Sequence, residues 1–473
     1  MKRAMRLTAA TFGMAFLAGC ATVSIDDALQ ETNSNARQFT QGKLEISRTR
    51  EQRDRRLQLT QELLSKPLSQ DDAVQVALAN SPAVQALLAQ GWADIASANQ
   101  AGRLPNPIFK FERMRLDSEL EIGRMLSIGL LDLILLPRRL AIAKSKVDQA
   151  KIQLTSTVVD QVTQVRQAWV RAVAAQQALQ YARQVNESAQ ASAELARRMQ
   201  LVGNFSKLQR ARQQVFHADA TTQLASALHA VTSAREELIR ALGLDDAQSA
   251  KLVLPDRLPD LPKAPRDAAQ VAATAMEQRL DVQLAKAQLD VAGKSLGINL
   301  LTTFTDIEVG GRNDTVFDNA GGTRSTRRGY ELDIRLPLFD WGTAQRDLMN
   351  AQAFAAANRH DATTRGASSQ LRESYSAYRT AYDIARHYRD EVVPLRQAMA
   401  DENVLRYNGM LIGVFELLAD ARDQVASVIN AINAQQQFWL ADAALSATVI
   451  GKPTALPAAM AASGSDAASS AAH

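Results

Sequence analysis

The side chains able to do chemistry are few and scattered. Five histidines, His217, His229, His360, His387 and His473, form no HxH, HxxxH or HExxH spacing, so the sequence offers no histidine metal motif. A single cysteine, Cys20, excludes an intrachain disulfide and a Cys-rich metal site. No Walker loop, no GxGxxG at a helix start and no GxSxG elbow occurs. Trp92, Trp169, Trp341 and Trp439 fit packing or interface positions better than a binding cage. Trp341 follows the last strand and marks either a membrane boundary or packing beneath the strands. What remains is charge. Glu416 and Asp420 are four apart and share one helix face, where they could also be plain solvated carboxylates.

Cys20 has its own context. Lys2, Arg3 and Arg6 precede an apolar stretch from Leu7 to Leu17, followed by Ala18-Gly19-Cys20. Residues 1–19 thus read as a secretory signal peptide, too short for a membrane-spanning helix. Leu17-Ala18-Gly19-Cys20 resembles the bacterial lipobox, whose cysteine takes a diacylglyceryl thioether before cleavage and an N-acyl chain (palmitate) afterwards. Several acyl chains make a firm anchor where one would bind only marginally. In such lipoproteins an Asp at the second mature position favours inner-membrane retention; Ala21 stands there, so the resemblance implies outer-membrane sorting. No other segment has 18 consecutive apolar residues, so a membrane span beyond the signal must be made of strands in a closed barrel.

Composition constrains the body. The chain has 473 residues, 54 of them Lys or Arg and 50 Asp or Glu, with only 5% aromatics. Few aromatics and many alanines favour thin, extended helical packing over thick cores. The pI near 9.1 owes much to the three basic signal residues. Without them the balance is nearly neutral, so no nucleic-acid partner is implied.

The elements are written twice. Gln85 matches Gln283, Leu131-Asp132-Leu133 matches Leu336-Pro337-Leu338, Gly203 matches Gly409 and Gly243 matches Gly451, at offsets growing from 198 to 208. That period far exceeds a solenoid's and reads as a duplicated domain. Each half predicts a helix (70–102, 266–298), two strands, a very long helix, a short turn and a shorter helix. Arg138 to Val202 holds neither Gly nor Pro, a rod of about 95–100 Å at 1.5 Å per residue. Leu140, Ala143, Val147, Ala150, Leu154, Val158, Val162, Val165, Trp169 and Ala172 give it a coiled-coil-like seam with a stutter. Its counterpart, Thr343 to Asn408, contains Gly366 and Pro394, where bends are expected. The domain plan is therefore 1–19 signal peptide, 20–67 N-terminal extension and 68–243 first repeat. A Pro-rich linker (244–265), second repeat (266–451) and Ala/Ser-rich tail expected to be disordered (452–473) complete it. A charged helical stretch within Lys43–Lys66 is expected on an outer surface.

Four strands alternate with period two. Phe109 and Phe111 alternate with Lys110 and Glu112; Leu126, Ile128 and Leu130 with Ser127 and Gly129; Ile307 and Val309 with Asp306 and Glu308. Tyr330, Leu332, Ile334, Leu336 and Leu338 alternate with Glu331, Asp333 and Arg335. Their lengths suit lipid-facing barrel strands, yet the same alternation describes a half-buried soluble sheet. Four strands cannot close a barrel around a lumen, whereas three copies would supply twelve. Pro105, Pro107, Pro137 and Pro337 are expected at the switches between helix and strand.

Together the lipobox, the duplicated helix–hairpin–long-helix–turn–helix units and the Pro-rich linker resemble the TolC-like outer-membrane efflux proteins. Further echoes are Leu104-Pro105-Asn106-Pro107, the stretch from Leu336 to Gly342, and the run from Pro394 through Tyr407-Asn408-Gly409 to Ala421. The resemblance covers about residues 68 to 451. It implies a mainly α chain with a small β part that trimerises into a 12-stranded outer-membrane β-barrel joined to a 12-helix periplasmic α-barrel. Such a homotrimer, set in outer-membrane lipid, is the passive exit duct of a tripartite system. A periplasmic adaptor links it to an inner-membrane transporter, expected to be of the RND type. It is no enzyme and needs no cofactor.

The resemblance also assigns residues. The adaptor-contacting tips fall on Val202, Gly203, Asn204 and Phe205, and on Tyr407, Asn408, Gly409 and Met410. Glu416 falls on the first position of an acidic entrance ring; the second falls on Ala419, with Asp420 one residue later. Three copies would then set six carboxylates around an axis, enough to attract cations. Lys207, Arg210 and Arg212 on the first tip are expected to pair with these acids and close the entrance at rest. The tip Tyr407 to Leu411 is similar to that of metal-efflux members, leaving drugs and other solutes open as cargo. The rival reading is a non-conducting scaffold or adaptor lipoprotein bridging the periplasm with long hairpins.

Overall fold

The computed structural model describes residues 24–453 except 118, 303–306, 319, 337–338 and 340. Cys20, the signal peptide, residues 454–473 of the tail, Asp306, Pro337 and Leu338 lie outside the described residues. The chain divides into two compact units. Among the described residues, one unit, bearing the sheet, takes in 24–32, Ala89–Leu154 and Val282–Thr364; the other, helical, takes in Asn33–Leu88, Thr155–Asp281 and 365–453.

Three helices precede the first repeat: α1 (Ile25–Asn35), α2 (Arg37–Thr40) and α3 (Arg50–Leu63). The last lies in the expected charged stretch and starts from a capping box in which Thr49 and Gln52 satisfy each other's backbone. The first repeat continues with α4 (Gln70–Asn80), α5 (Pro82–Ala101), β1 (Ile108–Leu116), β2 (Glu119–Gly129), α6 (Leu130–Leu201) and α7 (Lys207–Leu242). A short α8 (Asp246–Ser249) opens the linker. The second repeat has α9 (Ala268–Gln278), α10 (Leu280–Thr302), β3 (Ile307–Asp318), β4 (Thr323–Ile334) and α11 (Thr343–His387). A π turn (Tyr388–Val392) then leads to α12 (Val393–Asn408) and α13 (Val414–Val449).

The order matches the duplicated grammar, but its punctuation differs. The single helices expected over 70–102 and 266–298 are each broken in two. At Ser81 (φ −65°, ψ 119°) the following Pro82 excludes the helical conformation. Arg279 takes nearly the same shape (φ −64°, ψ 108°) with no proline after it. Its buried side chain does the work instead: the guanidinium pairs with both Asp281 oxygens (2.5 and 3.0 Å) and donates to the Ala367 carbonyl (2.7 Å) and to Gln370 (3.1 Å). The glycine that ends each repeat seats in the corresponding break. Gly243 (φ +66°) lies against Ser81 and Pro82, with the Asn80 amide donating to its carbonyl at 2.7 Å. Gly451 (φ +87°) lies against Leu280 and Asp281, and the Leu280 N–H donates to the Ile450 carbonyl at 2.8 Å.

One proline and one glycine also behave differently from expectation. Pro137 does not mark the switch out of β2; α6 begins at Leu130 and carries the proline inside its third turn. Gly366 leaves α11 uninterrupted, whereas Pro394 is preceded by the π turn. A proline ring crowds the carbonyl four residues back, here Asp390, and a wider turn accommodates it. The seam on α6 is buried at Val147, Leu154, Val158, Val162, Val165, Trp169 and Ala172, while Leu140 is exposed.

In the helical unit the aromatics gather where the linker crosses. Tyr378, Tyr382 and Phe438 are fully buried, with Trp439 packed against them. Aromatic side chains here also strap the Pro-rich linker through its carbonyls, the only backbone polar group a proline offers. Tyr382 donates to the Pro262 and Lys263 carbonyls (3.0 and 3.2 Å), Trp439 to Pro259 (3.0 Å) and Tyr375 to Arg266 (2.9 Å). Arg266 in turn pairs with Asp442 at 2.8 Å. On the first-repeat side the Trp169 indole donates to the Leu68 carbonyl (2.8 Å), and the Leu68 N–H to Val253 (2.9 Å).

The sheet is one antiparallel meander in the order β1-β2-β3-β4. Its register pairs Phe109 with Leu126, Ile128 with Val309 and Val309 with Leu332.

Candidate functional site

Two regions carry the predicted chemistry: the paired helix tips of the helical unit and the faces of the sheet.

At the first tip Gly203 (φ +81°) ends α6 in the left-handed conformation, and the Asn204 N–H reaches back to the Met199 carbonyl at 2.9 Å. Phe205 tucks under the turn and is buried, and Ser206 opens α7 with a capping box to Gln209. The second tip has the same bond, from the Leu411 N–H to the Arg406 carbonyl at 2.8 Å. Its left-handed residue is Met410 (φ +59°), however, and Gly409 keeps an ordinary φ of −78°. Met410, not Gly409, is thus the structural counterpart of Gly203. A methionine there is strained, since its Cβ crowds the following carbonyl, and its side chain is 93% exposed. Val202 and Leu411 are exposed as well, so both tips present apolar surface. Just before the first tip, hydrogen bonds from Arg197 and Arg198 hold the Glu194 carboxyl down to about 2.

The charged residues do not meet as expected within one chain. Among the described residues no ion pair joins Lys207, Arg210 or Arg212 to Glu416 or Asp420. Arg210 instead donates to Gln200 across its own tip at 2.9 Å. Glu416 is exposed; Asp420 is half-buried, and its Oδ2 is enclosed without a hydrogen-bond partner, as are Nε of Arg210 and of Arg422. The side chain that ties α7 to α13 is one the sequence reading missed. Arg422 donates to the Arg212 carbonyl (3.3 Å) and to Gln213 (3.2 Å) and lies over the Phe216 ring at 4.4 Å. Its spacing of six from Glu416 gave no signal, because the contact joins residues about 210 apart in sequence.

The sheet inverts the usual burial. Opposed residues in antiparallel strands project to the same face. The face with Phe109, Leu126, Ile128, Val309, Leu332 and Ile334 is exposed, and Tyr330 beside them is 90% exposed. The other face gathers ions around Arg312, which contacts Asp314 (2.7 Å), Glu112 (3.3 Å) and Glu331 (3.9 Å); Asp314 is buried. A water-soluble sheet that exposes one face exposes the polar one. Trp341, past β4, is exposed. No helix among the described residues is long and apolar enough to cross a membrane.

No family model matches the chain. No curated protein matches it either. Solved structures do. A membrane protein from Pseudomonas aeruginosa superposes with a TM-score of 0.66 at 20% identity, covering 83% of this chain and 93% of that one. The outer membrane protein VceC from Vibrio cholerae gives 0.66 at 14% identity, covering 81% and 96%. The MtrE outer membrane channel of Neisseria gonorrhoeae, in its open state, gives 0.64 at 17% identity, covering 81% and 89%. The chain therefore has the fold of outer-membrane channel proteins, the TolC-like fold its motifs resemble.

Proposed function

We propose that this chain is one third of an outer-membrane exit duct, serving a tripartite efflux system without catalysing any step. The observation that carries the reading is the inverted sheet: an exposed apolar face backed by an ionised one, on a fold shared with outer-membrane channels. Three copies would close twelve strands, setting the apolar face against lipid and the Arg312 network toward water. Acylated Cys20 would anchor the mature N-terminus. The exposed tips, Val202 to Phe205 and Tyr407 to Met410, would dock a periplasmic adaptor coupled to an inner-membrane pump of the RND type. Glu416 and Asp420 from three copies would ring the entrance. Within one chain no ion pair among the described residues joins these acids to Lys207, Arg210 or Arg212, so the closing pairs would form between copies.

The test is extraction from outer membranes followed by sizing and single-channel recording. A detergent-stable trimer that conducts supports the duct. A stable monomer without conductance refutes it and favours the periplasmic scaffold. In conducting channels Glu416→Gln is expected to weaken cation preference and Arg210→Ala to raise open probability. If both leave conductance and selectivity unchanged, the entrance assignment fails.

A further inference from the structure

The register sorts the sheet's charges by face. The exposed apolar face also carries Arg113, Arg115, Arg124, Arg324 and Arg328, and no Asp or Glu. The opposite face carries eight acids against Lys110, Arg312 and Arg327. All five arginines are exposed, and none forms an ion pair among the described residues. Arg324 lies over the Phe317 ring at 5.4 Å.

Position along the strands matters as much as face. The apolar rows, from Ile334 to Tyr330, lie at the helix end of the sheet. Arg124 opposes Phe111, Arg328 stands in the same row opposite Asn313, and the others follow toward the hairpin turns. From Ile334 to Arg328 is six residues, about 20 Å of strand. Charged side chains on a lipid-facing strand are tolerated at the interface and not at the midplane. The arginines therefore mark the headgroup level on the hairpin side of the apolar band. Guanidinium forks grip phosphate oxygens bidentately, and a belt without acids discriminates against headgroups that carry their own cation.

Resting on the barrel reading above, we propose that these five arginines bind the phosphates of an anionic outer-leaflet glycolipid of the lipid A type. Its acyl chains lie along Phe109, Leu126, Val309 and Leu332. The rows form a graded site: acyl chains on the apolar rows, and the saccharide phosphates on the arginine rows beyond them, from Arg124 and Arg328 to Arg113, Arg115 and Arg324.

The full-length detergent-solubilised protein is titrated with fluorescent bisphosphorylated lipid A, with dephosphorylated lipid A and inorganic phosphate as competitors. Arg324→Gln combined with Arg328→Gln is expected to weaken binding about 30-fold, from the known attraction of each cation near an anionic surface. Arg324→Lys with Arg328→Lys should retain most of it, and Arg327→Gln, on the other face, should change nothing. Dephosphorylated lipid A competing as well as the phosphorylated form would overturn the proposal. So would equal loss in Arg327→Gln, or free phosphate displacing the lipid at equal concentration. Insertion into phosphatidylcholine vesicles separates the two levels. Failure to insert refutes the barrel and this inference with it, whereas insertion without phosphate preference refutes this inference alone.

Discussion

Replacing Gly243 by alanine tests the docking of each repeat's last helix into the break of its first. Gly243 sits at φ +66°, where an L-residue costs about 1–2 kcal/mol. Its added Cβ would also stand 2.6 Å from Ser81 Cα and 2.7 Å from Pro82 Cδ, a backbone atom and a ring atom that cannot swing away. Overpacking of that kind costs about 1–3 kcal/mol more, for a total of about 2–5 kcal/mol. Gly203→Ala supplies the control: φ is +81°, but nothing lies within 4 Å of the new Cβ, so only the conformational cost of about 1–2 kcal/mol applies. Amide hydrogen exchange reads both directly. The Leu244 N–H, bonded to Ile239 at 3.1 Å, reports on the first, and the Asn204 N–H, bonded to Met199, on the second. Protection should fall about 30-fold to several thousand-fold at Leu244, and only about 5- to 30-fold at Asn204. Equal losses at the two sites would show that the Ser81–Pro82 contact yields freely, and the docking argument would fail.

Three further outcomes follow from named contacts. Arg422→Ala removes the bonds to Arg212 and Gln213 and the stack on Phe216, and should loosen the start of α7 by about 1–3 kcal/mol; unchanged amide protection there would remove Arg422 from the tip. Met410→Gly relieves a strained left-handed residue whose side chain touches little, and should gain about 1 kcal/mol in thermal unfolding; a loss would mean the methionine is held. Asp442 gives a pH signature, since burial raises its carboxyl above the usual 3.8 against the opposing pull of Arg266 and Arg166. A raised folded value favours the protonated fold, so this contribution is full below pH 3.8 and fades as pH rises through the folded value. Relative to Asp442→Asn, the native chain should lose stability from acid toward neutral pH; a denaturation-midpoint difference that stays flat with pH would contradict it.

Much of the architecture was legible because it rests on short-range rules. Sixty-five residues without Gly or Pro pointed to a long helix, and period-two alternation marked part of all four strands, though it ran past β2 to Leu130 and past β4 to Leu336. What escaped is tertiary. Nothing near Arg279 breaks a helix locally; the break depends on a guanidinium reaching Ala367 and Gln370, about ninety residues away. Gly409 matches Gly203 in sequence, and glycine takes the left-handed shape without strain, yet the chain puts that shape on Met410. Alternation likewise cannot say which face water meets. That required the register, which shows Tyr330 and Phe109 uncovered while Asp314 is buried.

The two repeats reach the same backbone by different chemistry, and this explains why the duplication is faint in sequence but plain in space. Pro82 and Arg279 produce one break, Gly203 and Met410 one turn, and the same reach-back bond closes both tips. Because the backbone is fixed by such interchangeable solutions, the side chains around it are free to diverge in charge. Lys207, Arg210 and Arg212 decorate one tip; Glu416 and Asp420 follow the other. Identical tips would place like charges side by side around a ring of three copies, each repelling its neighbours. In the proposed trimer, alternating basic and acidic tips would remove that repulsion and leave contacts that salt can weaken. If the alternation matters, raising ionic strength should loosen the tips of the proposed trimer. A variant carrying Lys207→Glu and Arg210→Glu should be loose at every salt concentration, and equal protection of its tip amides at low and high salt, at the native level, would dispose of the argument.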